Sequence, residues 1–133
     1  METNYSVTIA EVSKELTAKE RIAFKDLNNA HKFDDLLDPN SDVFAGDAGL
    51  LITPSHFGVL SIHNEKSDNK DYEAYVIVDK DGTKYYTSSK SFWSSFKDIE
   101  AEMHNESEEW SIEVVRHPSK NYKDKYYFTA SIV

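Results

Sequence analysis

Apolar and polar residues alternate with a period of two in short stretches, the pattern of half-buried strands. Trp110–Arg116 and Phe128–Val133, the end of a strand from Tyr126, follow it, and Gly49–Thr53, His56–His63, Tyr72–Asp79 and Lys84–Ser88 also read as strands. Gly58 interrupts His56–His63, and a glycine within a strand marks a bulge or a sharp bend. Lys80-Asp81-Gly82-Thr83 reads as the tight turn of a hairpin. One stretch has a different period. Phe92, Phe96, Ile99 and Met103 recur at four, three and four, which predicts a helix to about His104, capped by Ser89 or Ser91. Residues 1–48 are polar and weakly patterned. Within them Thr17-Ala-Lys-Glu20 has capping-box spacing and predicts a short helix from Ala18, with a strand from about residue 21 as its competitor.

The expected chain is therefore mainly β with one or two helices. Three strands, a helix between the third and fourth strands, and a closing hairpin is the order of a five-stranded OB-fold barrel. Gly58 suits the bent first strand of such a barrel. A small α+β sandwich with one covering helix satisfies the same order. Residues 1–48 hold too few apolar side chains for a core of their own and are expected as an N-terminal extension on the main domain, 49–133.

Composition narrows the chemistry. The 133 residues carry a formal net charge of −9, which argues against non-specific duplex binding and against an anionic membrane surface. That charge is unevenly spread. Asp98, Glu100, Glu102, Glu106, Glu108, Glu109 and Glu113 crowd the predicted helix and its sequel, while residues 114–133 hold Arg116, Lys120, Lys123 and Lys125 against Asp124 alone. The absence of cysteine excludes disulfides and thiolate chemistry. His31, His56, His63, His104 and His117 show no metal-ligand spacing, so neither a metal nor a cofactor is expected. No glycine-rich phosphate loop or nucleophile elbow is present, and no enzymatic activity is expected. The N-terminus lacks a signal-peptide pattern and no apolar run approaches the roughly 18 residues of a membrane span, so a cytoplasmic protein is expected.

Two regions suit single-stranded nucleic acid. With a two-residue turn at Asp81-Gly82, Ala74, Val76, Val78 and Tyr85 form a core face. Glu73, Tyr75, Ile77, Asp79, Lys84 and Tyr86 then form the other, where Tyr75 and Tyr86 could stack bases and Lys84 meet a phosphate. A stacked base contributes about 1–3 kcal/mol largely regardless of sequence. A three-residue turn flips one strand of this assignment, and cover by residues 1–48 is the competing explanation of such a face. The second region is the loop of the last hairpin. Arg116, Lys120, Lys123 and Lys125 would track phosphates there, with Tyr122 stacking at the groove edge. A solvated hairpin tip has the same composition.

Several blocks carry a resemblance: Lys14-Glu-Leu-Thr-Ala-Lys-Glu-Arg21, Val59-Leu-Ser-Ile-His-Asn-Glu-Lys-Ser-Asp68, Ser91-Phe-Trp93, Glu109-Trp-Ser-Ile-Glu113 and Pro118-Ser-Lys-Asn-Tyr-Lys123. Over about residues 14–133 the chain resembles single-stranded DNA-binding proteins encoded by bacteriophages and mobile elements of Gram-positive bacteria. The resemblance implies an OB-type domain that coats single strands during replication or recombination in a bacterial host, without catalysis. Replication or recombination proteins and a second copy of the chain are its implied further partners. Residues 38–48 form a longer connection than the family pattern. The chain closes on the strand-like Phe128–Val133 rather than on a disordered acidic tail, so recruitment of partners by a tail is not expected. The alternative function is an acidic interaction protein, a DNA mimic or inhibitor, that binds a basic protein partner.

Overall fold

The computed structural model describes residues 5–42, 50–66, 70–106, 108–119 and 126–133. In chain order the elements are β1 (Tyr5–Val12), α1 (Ala18–Lys25), β2 (His31–Lys32), α2 (Phe33–Leu36), β3 (Leu50–Ile52) and β4 (Pro54–Asn64). There follow β5 (Asp71–Asp79), β6 (Lys84–Thr87), α3 (Lys90–Met103), β7 (Ile112–Pro118) and β8 (Tyr126–Ile132). The protein is mainly β, and its helix α3 lies between the β5–β6 hairpin and β7. The expected five-stranded barrel is not formed by the described strands. They lie in two sheets, of order β1-β4-β5-β6-β2 and β3-β7-β8, neither closed on itself. The chain divides into two compact units, Met1–Lys32 with Ser55–Ser88 and Phe33–Pro54 with Ser89–Val133. Among the described residues no helix is long and apolar enough to cross a membrane.

The first unit is built on the five-stranded sheet. In β1, Val7, Ile9 and Val12 are half-buried and the residues around them exposed. The step from two to three marks a β-bulge, where the register against β4 shifts between Ile9 and Glu11. Gly58 faces Val12 at that point. A Cβ on Gly58 would stand 2.2 Å from the Glu11 carbonyl oxygen, so only glycine lets the two backbones approach there. The irregularity that Gly58 signals thus lies in the neighbouring strand. Residues 5–12 form a sheet strand in which Val7, Ile9 and Val12 turn toward the core, while Tyr5 and Ala10 stay exposed. Helix α1 begins with the predicted capping box. The Thr17 hydroxyl accepts from Glu20 N–H at 3.2 Å, and Glu20 Oε1 accepts from Thr17 N–H at 2.9 Å. Phe24 and Leu16 bring this segment onto Leu60, Ile62, Ala74 and Val76.

The β5–β6 turn has three residues, not two. Asp79 N–H donates to Thr83 O at 2.8 Å and Gly82 N–H to Asp79 O at 2.9 Å. Gly82 has φ +93°, the left-handed position that such a turn assigns to glycine. Asp81 supports the turn by accepting from Thr83 N–H at 2.8 Å. The pairing is consequently Val78↔Lys84, Ile77↔Tyr85, Val76↔Tyr86 and Tyr75↔Thr87.

The second unit sets α3 on the three-stranded sheet. Ser89 caps the helix by accepting from Phe92 N–H at 3.2 Å. Phe92 and Phe96 are fully buried, while Ile99 and Met103 are half-buried at the end of the same stripe. Phe33 meets Phe92 edge-on at 4.8 Å between ring centroids. Ile52, Ile112, Val114, Phe128 and Ala130 supply the buried residues of the sheet. Helix α3 also satisfies the outer backbone of β8. Ser91 Oγ donates to Phe128 O at 3.1 Å, and Ser95 Oγ accepts from Ala130 N–H at 2.8 Å. Two serines four residues apart thereby shield a strand edge that would otherwise template further pairing.

Candidate nucleic-acid interface

The three-residue turn rearranges the first predicted site. Residues paired across antiparallel strands share a face, so Tyr75 and Ile77 lie with Tyr85 and Thr87. Lys84 and Tyr86 lie with Val76 and Val78 on the opposite face. The expected common face of Tyr75, Lys84 and Tyr86 is therefore corrected: one added turn residue moves β6 by one position against β5. Neither face is open. Tyr75 is 5% exposed and Ile77 and Val76 are fully buried. Burial, and then the Glu73 carboxylate, push the Tyr75 phenol above its ordinary pKa. Tyr86 is half-buried against the core of the first unit.

Lys84 is itself buried. Its ammonium donates to Ala23 O, one of the last carbonyls of α1, where the helix dipole favours a cation. Burial lowers its pKa. Lys84 thus lies on the face opposite Tyr75, with its ammonium at the end of α1.

In the second unit, Arg116 sits in β7 opposite Phe128 and is half-buried. Its guanidinium donates to Leu37 O at 3.2 Å and lies 3.4 Å from the centroid of the Tyr126 ring. These two contacts hold the cation flat against the tyrosine. On the other face of the hairpin, His117 pairs with Tyr127, and their rings stack at 5.0 Å with an interplanar angle of 22°. His117 Nε2 and Thr129 Oγ1 are hydrogen-bonded at 2.8 Å, which fixes the imidazole. Tyr126 is 51% exposed and Tyr127 37%. Lys120, Tyr122, Lys123 and Lys125 lie outside the described residues.

Of the predicted residues, the structure groups Tyr75, Lys84 and Tyr86 in one hairpin and Arg116 in another. Tyr126, Tyr127 and His117 were not singled out from the sequence. Their signal was present: two adjacent tyrosines open a strand directly after the lysine-rich loop, so one ring must fall on each face. Among the described residues no group of three His, Asp or Glu side chains could hold a metal ion. No family model, curated protein or solved structure matches this chain.

Proposed function

We propose that this protein binds single-stranded DNA without catalysis, through the β7–β8 hairpin. The observation that carries this reading is the pair of exposed tyrosines, each backed by a group that holds its ring: Arg116 behind Tyr126 and His117 behind Tyr127. An ordered, half-exposed ring can stack a base with little further loss of side-chain freedom, and stacking accepts every base. Arg116 supplies a fixed positive charge beside one ring. By sequence, Lys120, Lys123 and Lys125 lie between the two strands and would add phosphate contacts. The resemblance to phage single-stranded DNA-binding proteins supports the same reading, and with it a place in DNA replication or recombination and an OB-type ancestry for the fold.

Fluorescence anisotropy of labelled oligo-dT tests the proposal. Binding is expected to weaken as salt rises, with a negative log–log slope set by the number of phosphates neutralised. Absence of binding at low salt, or a flat slope, overturns it. Exposed Asp98, Glu102, Glu106, Glu108 and Glu109 favour the second reading, an acidic surface for a basic protein partner. That reading predicts capture of a basic protein with no response to oligonucleotides.

A further inference from the structure

The first unit contains a cavity of about 240 Å³ beside α1. Phe24, Ala23 and Val78 give it apolar surface, while Lys84, His56 and Glu20 give it ionisable groups. Lys84 is 8% exposed. An ammonium has three N–H donors, and the bond to Ala23 O uses one of them. Among the described residues no carboxylate forms an ion pair with it, and Asp26 acts on it at longer range. A buried charge without a counter-charge is costly, and it is relieved when an anion arrives. Capping of α1 accounts for one donor; it leaves the remaining donors and the cavity unexplained.

His56 adds a second donor. Its ring lies 5.9 Å from that of Phe24, and its Nδ1 is 3.2 Å from Ser55 Oγ. With Nδ1 accepting from the serine hydroxyl, Nε2–H is left to donate, and it has no partner among the described residues. Burial, then the charge of Lys14, hold this imidazole below its ordinary pKa, so it is a neutral donor at pH 7. Glu20 is already engaged, by Thr17 N–H at 2.9 Å and by Lys14 at 3.7 Å. A cavity of about 150 Å³ accommodates benzene, so this one has room for a ring bearing a carboxylate.

We propose that the cavity binds a small organic carboxylate, its anion on Lys84 and His56 and its apolar body on Phe24 and Val78. One ammonium balances one negative charge. A dianion would set its second charge against Glu20 and Asp26. The site lies wholly within the first unit and is independent of the hairpin interface proposed above.

The test is NMR of the full chain at pH 7 with benzoate, benzylamine and inorganic phosphate as probes, reading backbone amides and the Lys84 ammonium. Benzoate is expected to shift Ala23, Phe24, His56 and Gly82 saturably and to raise the Lys84 pKa. Lys84→Met is expected to weaken benzoate at least about tenfold, as loss of a charge-assisted hydrogen bond does. Benzylamine and phosphate are expected to leave these signals in place. No saturable response to benzoate, an equal response to benzylamine or phosphate, or unchanged benzoate affinity in Lys84→Met overturns the proposal. Should Lys84→Met not fold, the wild-type Lys84 titration decides: a rise with benzoate supports the site, and no rise refutes it.

Discussion

Two hairpins, β5–β6 in the first unit and β7–β8 in the second, each place tyrosines near a cation. In the first, both strands are interior to a five-stranded sheet, and Tyr75 and Lys84 are buried. In the second, β8 is the edge of a three-stranded sheet, and Tyr126 and Tyr127 are exposed. The cations follow the same division. Lys84 is buried with its ammonium on a helix carbonyl, whereas Arg116 is laid against an exposed ring. Residue type proposes a stacking site; position within the sheet decides whether a base could reach it.

The largest expected effect bears directly on that contrast. Ile77→Ala empties a fully buried position of β5 and should cost about 2–5 kcal/mol in urea unfolding. Ile132→Ala in β8, 51% exposed, should change stability by no more than about 0.5 kcal/mol. Similar losses in the two variants would show that β5 and β8 do not differ in burial as described. Next in size, Tyr127→Ala should weaken oligo-dT binding by about 1–3 kcal/mol with folding intact. Tyr86→Ala should instead lower the unfolding midpoint, because its ring packs on the core of the first unit. An affinity loss without a stability loss in Tyr86→Ala would return the binding face to β5–β6.

Helix caps sharpen the comparison at about 1 kcal/mol each. Thr17→Ala removes one side of a reciprocal box from α1, and Ser89→Ala removes the hydroxyl that accepts from Phe92 N–H at the start of α3. Each substitution leaves one first-turn N–H, of Glu20 or of Phe92, without its side-chain acceptor, while Glu20 Oε1 keeps its bond from Thr17 N–H, so similar losses are expected; circular dichroism melts would measure them. The smallest effect separates two histidines of β4. His63 is bonded to Asp71 and Glu65, each at 2.7 Å, and these bonds raise its pKa. Its contribution to stability is full below the unfolded value near 6.5 and is lost as pH rises through the raised value. Burial lowers the pKa of His56, so its linkage has the opposite sign: it favours the fold above 6.5 and is lost as pH falls through the lowered value. NMR titration should find His63 above His56, and the reverse order would contradict both environments.

Much of the local structure was legible along the chain. The capping box at Thr17, a serine cap at Ser89 or Ser91 and the Phe92–Phe96 stripe arise from contacts within a few residues, and the strands from residue 50 onward carry their own residue patterns. Strand β1 was not legible, because a bulge after Ile9 breaks its alternation and leaves no clean period. The hairpin register was missed for a comparable reason. Lys80-Asp81-Gly82-Thr83 is compatible with two turn lengths, and the backbone bonds of Asp79 select the longer one. That one residue places Tyr75 and Tyr86 on opposite faces.

Residue order alone was enough to place the strands from residue 50 onward, the starts of α1 and α3, and a net positive last hairpin in an acidic chain. Which aromatic rings remain available depends on packing between elements distant in the chain. A period of two states which side chains share a face, and it is silent on whether another layer or strand covers that face. Burial is a property of neighbours far away in the chain, and here it encloses Tyr75 and Lys84 while leaving Tyr126 and Tyr127 at an edge.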